Sequence, residues 1–275
     1  MPSTSPKLWV VATPLGNHGD LSPRAREVLT TVDLVLAEDT RRTGLLFQRC
    51  EITAKRFMSF HDHNETARTP EVLALLESGV TAAIVSDAGM PLFADPGFRL
   101  VRACREAGIK VSVVPGPSAP LTALAASGIA PLPFTFVGFP PRKRSDQERL
   151  FSSFANVGTT LVFFERKDRL AETLAAAYAV MGPRDLCVAR ELTKTHEEFI
   201  YGRLEDYAAI PEDLLGEITV VIGPPEADTV TTREELLTLI AEEEAVGGRP
   251  KDVARRVQQR TTGWTVKDIY LLLKR

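Results

Sequence analysis

The stretch Val85–Gly97, VSDAGMPLFADPG, decides how the rest of the chain is read. It opens as the end of the apolar run AAIVS (82–86) and turns at once into small, acidic and ring-locked residues. Two Gly, two Pro and two Asp fall within thirteen positions. Gly89 permits a positive φ or a close approach of backbone to a ligand. Pro91 and Pro96 stiffen the exit. Asp87 offers a carboxylate to a hydroxyl or ammonium group, or closes an Asx-turn. Backbone controlled this tightly behind a strand suits the edge of a sheet where ligands bind.

The same arrangement recurs on either side. LWVVA (8–12), LVLA (34–37), FMSF (57–60), AAIVS (82–86) and VSVV (111–114) read as strands. Between them SPRAREVLTTV, TRRTGLLFQRC, TPEVLALLESG and GFRLVRACREAG carry helical spacing. Ser22–Pro23 and Thr69–Pro70 read as an N-cap followed by an N1 proline, and Gly79 and Gly108 as helix stops. Strand and helix alternating in this way predict a mainly parallel sheet covered on both faces.

After Pro115 a second series begins. SAPLTALAASG reads as a helix, and FTFVGF (134–139), TTLVFFE (159–165), DLCVAR (185–190), EEFIYG (197–202) and EITVVIG (217–223) as strands, with a helix over 168–180. The late strands are closely spaced, so part of this sheet is expected to be antiparallel. GPPEADT (223–229) reads as a linker, followed by helical stretches over 233–245, 250–260 and 265–274. The expected architecture is α/β and two-lobed: a lobe over 1–116, a second over 117–228, and a small C-terminal helical module over 229–275, with helix-turn-helix-like connections.

Five unusual loops follow the first five strands: TPLGN (13–17), EDTRR (38–42), HDHNE (61–65), SDAGMP (86–91) and PGPSA (115–119). In a parallel sheet all strand C-termini lie along one edge, where open α/β sheets bind ligands, so the five loops predict one composite cleft. The chain lacks GxxxxGK[ST] and lacks GxGxxG after its first strand, which argues against a P-loop nucleotidase and an ordinary dinucleotide fold. HDHNE offers His61, His63 and Glu65 to a metal only if extended, and loop hydrogen bonding or RNA contact is the better reading; no metal site is expected. Ser118 is not in a GxSxG elbow.

Composition agrees with a globular chain of 275 residues, 44% hydrophobic and 25% charged. No apolar run approaches the roughly 20 residues that cross a bilayer, and MPSTSPK has no secretory pattern. Cys50, Cys104 and Cys187 are widely spaced, which favours a reducing cytoplasm over a disulfide framework. The net charge of −3 hides an asymmetry: from Arg249 to Arg275 eight Lys/Arg face Asp252 and Asp268, a net of +6, leaving −9 on the preceding 248 residues. A basic end on an acidic body suggests a polyanionic partner.

The ordered set VVATPLGNHGDLSPRA, AEDTRRTGLL, SFHDHNE, VSDAGMPLFADPGFRLV, PGPSAPLTALAASG and FVGFPPRK closely resembles the bacterial ribosomal RNA small subunit methyltransferase I family, part of the tetrapyrrole-methylase superfamily. The resemblance covers nearly the whole chain. It implies S-adenosyl-L-methionine (SAM) as cofactor, held between two α/β lobes, and methylation of a cytidine ribose 2′-hydroxyl in 16S rRNA of the small ribosomal subunit, in the decoding region. It also implies a homodimer. Carried over by position, it puts Leu15, Asp87, Met90, Ser118, Ala119, Phe164, Ala189 and Thr219 at the cofactor. These positions are mostly small or apolar, which suits a ligand read by backbone groups.

A protonated ribose hydroxyl is a poor nucleophile, so a base, or a cation stabilising the developing alkoxide, would help. Glu38, Asp39, His61, Glu65, Glu191 and Lys194 are the candidates, and the sequence does not choose among them. Arg41, Arg42, Arg142, Lys143, Arg144 and Arg190 are placed on loops or strand ends as RNA contacts, joined by Lys251, Arg255 and Arg256 of the tail. Two other readings stand beside this one: a small-molecule tetrapyrrole methylase, against which the basic tail and the PPRKR loop argue, and a non-catalytic RNA-binding protein.

Overall fold

The computed structural model describes residues 5–211, 213–226, 231–261 and 263–274. The chain divides into two compact units, Met1–Pro224 and Pro225–Arg275. The first unit holds two five-stranded sheets. The boundary expected between 228 and 229 lies outside the described residues.

The first sheet contains β1 (Leu8–Val11), β2 (Leu34–Ala37), β3 (Phe57–Ser59), β4 (Ala82–Val85) and β5 (Val111–Val114), in the order β3-β2-β4-β1-β5. All its pairings are parallel. β2 and β4 are buried along their whole length, as continuous apolar runs must be when helices cover both faces. Alternate residues point to opposite sides. Val35, Ala37, Ala83 and Val85 pack with Leu29 of α1 (Pro23–Thr31) and Phe47 of α2 (Thr40–Arg49). Leu34, Leu36, Ala82 and Ile84 pack with Val72 and Leu76 of α3 (Glu65–Glu77) and Leu100 and Cys104 of α4 (Phe98–Glu106).

Helix α1 starts as its sequence predicts: Ser22 Oγ accepts from the Ala25 N–H, and Pro23 occupies the first turn. Helix α3 does not. Thr69 and Pro70 are not its cap and first residue; the helix begins at Glu65, with Pro70 inside it. The reason is tertiary. The buried Glu65 carboxylate accepts from Gly97 N (2.9 Å) and Arg99 N (3.0 Å), so the extra turn caps α4, whose N-cap Gly97 has no side chain to do so.

The chain leaves β5, passes through 115–119 and enters α5 (Ala119–Ala126), which packs on one face of the second sheet through Ala123 and Leu124. That sheet contains β6 (Phe134–Phe136), β7 (Thr160–Glu165), β8 (Asp185–Arg190), β9 (Glu198–Arg203) and β10 (Ile218–Ile222), in the order β6-β7-β10-β8-β9. Only β6 and β7 run parallel; the other three pairings are antiparallel. Its other face packs against α6 (Arg144–Ser152) and α7 (Leu170–Met181) through Phe151, Leu170 and Leu174.

The second unit contains α8 (Arg233–Val246), α9 (Pro250–Gln259) and α10 (Val266–Leu273). Leu236, Ile240, Val253, Val257 and Ile269 form its core. Trp264 closes it, donating from Nε1 to the Thr231 carbonyl at 2.6 Å. Capping boxes at Thr232/Glu235 and Thr265/Asp268 start α8 and α10. Among the described residues no helix is long and apolar enough to cross a membrane.

Candidate functional site

The loop that opens the sequence argument is folded back onto the loop after β1. Thr13 N donates to Gly89 O at 2.8 Å and Gly89 N to Thr13 O at 3.1 Å. The Thr13 hydroxyl donates to Ser86 O at 3.2 Å, and the Ser86 hydroxyl to Ala88 O at 3.2 Å. Gly89 sits at φ 81°, and a Cβ there would lie 2.9 Å from Leu15 Cδ2. Only glycine satisfies both the left-handed backbone and the close approach.

Beside this bridge lies a cleft of about 610 Å³ walled by both sheets. From the first come Leu15, Glu38, Arg42 and the loop from Asp87 to Asp95; Ser118 and Ala119 enter where the chain changes sheets. From the second come Phe139, Phe164 to Asp168, and Gly216 to Thr219. Of the residues expected at a cofactor, Leu15, Asp87, Met90, Ser118, Ala119, Phe164 and Thr219 are brought together here. Ala189 is not among the lining residues: it is fully buried on β8, opposite Thr219 of β10. Loops after β1, β2, β4 and β5 contribute to the wall. HDHNE does not, although Asp62 and His61 act on Glu38 electrostatically.

Six carboxylates stand in the wall: Glu38, Asp87 and Asp95 from the first lobe, and Glu165, Asp168 and Glu217 from the second. Burial, and then the negative charges of Asp87 and Asp62, raise the Glu38 carboxyl above its ordinary range. Burial, and then the charge of Glu38, push Asp95 up to about 7, against a hydrogen bond from Ser86 that lowers it. Two neighbouring carboxyls that each resist ionisation titrate as a pair. Asp87 meets Arg42 Nη1 at 3.1 Å through Oδ2. Its Oδ1 is buried without a hydrogen-bond partner. Sequence reasoning passed over Asp95 because its acidity changes only when the folded chain buries it and, second, brings Glu38 beside it.

The other candidate bases have structural duties. Asp39 caps α2, accepting from Arg41 N and Arg42 N, and these bonds lower its pKa. Glu65 is the buried cap described above. His61 sits in the HDHNE turn, its Nε2 3.1 Å from Asn64 Nδ2 and its Nδ1 buried without a partner. Glu191 and Lys194 form an ion pair at 2.9 Å, with Glu217 at 3.1 Å from the same ammonium. Burial pulls the Lys194 ammonium down, but its bonds to these two carboxylates raise it overall. Among the described residues no three His, Cys, Asp or Glu side chains are grouped to hold a metal ion.

The basic residues divide into engaged and free. Arg41 and Arg42 lie in the first turn of α2 rather than in a loop. Arg144 begins α6 and pairs with Glu148 at 2.9 Å. Arg190 bonds Glu198 at 2.6 Å and the Leu215 carbonyl at 3.2 Å. Arg142 and Lys143 are exposed and make no ion pair among the described residues. Arg166 and Lys167, unremarked in the sequence, line the cleft after β7. In the second unit Lys251 and Arg255 are exposed. Arg256 is not available in the same way: it bonds the Glu243 carboxylate at 2.7 Å and the Glu243 and Gly247 carbonyls, closing the end of α8.

Residues 7–208 match the family model of the Tetrapyrrole (Corrin/Porphyrin) Methylases. The chain is 41% identical over 276 residues to a Ribosomal RNA small subunit methyltransferase I of Micromonospora olivasterospora, covering 98% of this chain and 88% of that one. It is 45% identical over 222 residues to the protein of that name from Thermotoga maritima, covering 80% and 99%. In three dimensions it is similar to the uroporphyrin-III C-methyltransferase of Thermus thermophilus complexed with S-adenyl homocysteine, with a TM-score of 0.57, 18% identity, and 79% and 97% of the two chains covered.

Proposed function

Because the chain belongs to the tetrapyrrole methylases, among the proteins named ribosomal RNA small subunit methyltransferase I, we propose that it methylates the 2′-hydroxyl of a cytidine ribose in 16S rRNA. The donor is SAM, and the substrate is the decoding region of the small ribosomal subunit. The observation that carries this reading is the buried, unpartnered Asp87 Oδ1 in the cleft that both sheets wall. A carboxylate oxygen left without a partner suits a hydroxyl or ammonium group of the cofactor. Arg166, paired with Asp168 at 3.1 Å, and Lys167 line the other lobe, and the exposed Arg142 and Lys143 follow Phe139 in sequence, where they offer cations to phosphates.

The residues present fit SAM. Gly89, at a φ of 81° and with no Cβ, brings backbone into the cleft wall, and Asp87 Oδ1 is a buried acceptor with nothing to accept. Leu15, Asp87, Met90, Ser118, Ala119, Phe164 and Thr219 would hold it. Bound there, SAM supplies a methyl carbon made electrophilic by the sulfonium beside it. The chain's own part is to orient the ribose and take its proton. Glu38 is assigned as the acceptor of the 2′-hydroxyl proton, because a raised carboxyl pKa makes a stronger base. Asp95, raised to about 7, keeps its proton well above the ordinary carboxyl range and so limits the negative charge that Glu38 faces. Alignment of oxygen and methyl carbon supplies on the order of 7–11 kcal/mol.

The reading includes a cytoplasmic homodimer, for which exposed Val113, Leu121 and Leu132 offer apolar surface; sedimentation of the purified protein tests that part. The main test is transfer of labelled methyl from SAM to small subunits, with nuclease mapping of the product. Label on ribose 2′-oxygen of cytidine is expected. Label on a base, or on a tetrapyrrole in place of RNA, overturns the reading. Glu38→Gln is expected to slow transfer at unchanged SAM affinity.

A further inference from the structure

Two aromatic side chains stand exposed in the wall of the cleft, one from each lobe: Phe93 is 60% and Phe139 is 54% exposed. Exposed apolar surface gathered at a cleft marks an interaction site, and each of these rings is held out by a built support.

Phe139 follows β6 and precedes Pro140 and Pro141. Its ring packs at 5.4 Å on Phe164, which in turn packs at 4.9 Å on Phe136. The two prolyl carbonyls both accept from Arg169 Nη2, at 3.0 and 2.8 Å. Arg169 is fixed by the wholly buried Glu165 at 3.2 Å, and Glu165 accepts from the Thr173 hydroxyl at 2.6 Å. A buried polar chain thus holds one surface loop in place, and the residues it leaves free are Phe139, Arg142 and Lys143.

Phe93 is displayed differently. Leu92 and Ala94 on either side of it have φ of 75° and 68°, a left-handed backbone that residues with a side chain rarely adopt. Leu92 turns inward against the core of the first lobe, and Pro96 is buried, so the tip between them projects outward. Strain of this kind persists where the surrounding structure enforces it, and it gathers at ligand clamps.

We propose that Phe93 and Phe139 form a stacking clamp for unstacked RNA bases, so that the substrate enters the cleft as a locally single-stranded nucleotide, with Arg142 and Lys143 on the adjoining phosphates. This rests on the RNA methylation reading above and adds the conformation in which the RNA is taken. The chemistry is that of single-strand recognition, in which aromatic faces stack on bases and neighbouring cations follow the backbone. A base paired in a helix offers neither of its faces to a ring.

The test measures binding of a cytidine-containing single-stranded RNA oligonucleotide, and of the same RNA annealed to its complement, to the full chain and to Phe93→Ala and Phe139→Ala. SAM affinity is titrated in parallel. Each variant is expected to bind the single strand about 5- to 150-fold more weakly, the range found for loss of one stacked base, with SAM affinity unchanged. Phe139→Trp is expected to restore binding. An oligonucleotide made abasic at successive positions probes the unaltered protein: at one or two positions it is expected to bind as weakly to wild type as the intact RNA binds to the alanine variants. Equal RNA affinity in the variants, equal affinity of wild type for abasic RNA, preference for the duplex, or an equal loss of SAM affinity overturns the clamp. Methyl transfer by the wild type to small subunits is scored separately: its absence sinks the methylation reading, while its presence with unaltered RNA binding by the variants sinks only the clamp.

Discussion

Asp95→Asn removes the carboxyl that the cleft is least able to ionise. Burial, followed by the charge of Glu38, moves Asp95 to about 7 in the folded chain, while the unfolded chain releases that proton near the ordinary value of about 4. Between these two values the folded state holds a proton that the unfolded state has lost. Stability therefore falls as pH rises through this window and levels off above it. The full displacement corresponds to about 4 kcal/mol at 1.36 kcal/mol per pKa unit. Asp95 is only partly enclosed and shares its repulsion with Glu38, so solvent screening reduces this to about 2 kcal/mol. Asparagine has nothing to titrate. The stability of wild type relative to Asp95→Asn should thus drop by about 2 kcal/mol between pH 4 and pH 8, leaving the variant the more stable protein at the alkaline end. Urea unfolding followed by circular dichroism, at fixed ionic strength across that range, gives the difference directly. A difference that does not vary with pH, or that grows in favour of wild type above pH 7, refutes the account of the paired carboxyls.

Gly89→Val forces a branched side chain into a left-handed backbone against Leu15; the strain is about 1–3 kcal/mol, and SAM affinity by calorimetry should fall at least tenfold, unchanged affinity removing this loop from the cofactor site. Glu65→Ala leaves Gly97 N and Arg99 N without their acceptor and should cost about 1–3 kcal/mol in urea unfolding; a negligible cost would mean that water replaces the cap. In the second unit, Lys251→Gln with Arg255→Gln should leave Tm unchanged, weaken binding to small subunits, and flatten its salt dependence by roughly 0.7–0.9 per lost phosphate contact. Arg256→Gln should instead lower the Tm of the helical unit, since it removes the bonds to Glu243 and Gly247; the reverse pattern would exchange the two roles.

Much of this molecule was legible from local patterns. The apolar runs at 34–37 and 82–85 are central strands because every residue in them is buried, and burial on both faces demands an unbroken run. Ser22–Pro23 began a helix because a cap and its proline act within one turn. The placing of loops on a single edge followed from parallel pairing alone, and most of the proposed cofactor residues lie in the resulting cleft.

What the sequence did not contain was distance between segments far apart in the chain. Thr69–Pro70 reads as a helix start, yet α3 begins at Glu65 because that carboxylate is needed by Gly97 and Arg99, more than thirty residues away. Arg256 looks like its neighbour Arg255 until the fold sets it against Glu243. Asp95 acquires its altered acidity from burial and, second, from Glu38 just after β2. Phe93 and Phe139 are two ordinary aromatics in sequence, and only the folded chain leaves both exposed in the wall of one cleft. Propensity, capping and hydrophobic period act over a few residues and can be read in order. Charge repulsion, ion pairing and cleft formation act through space, so the residues they join are fixed only when the two sheets have folded.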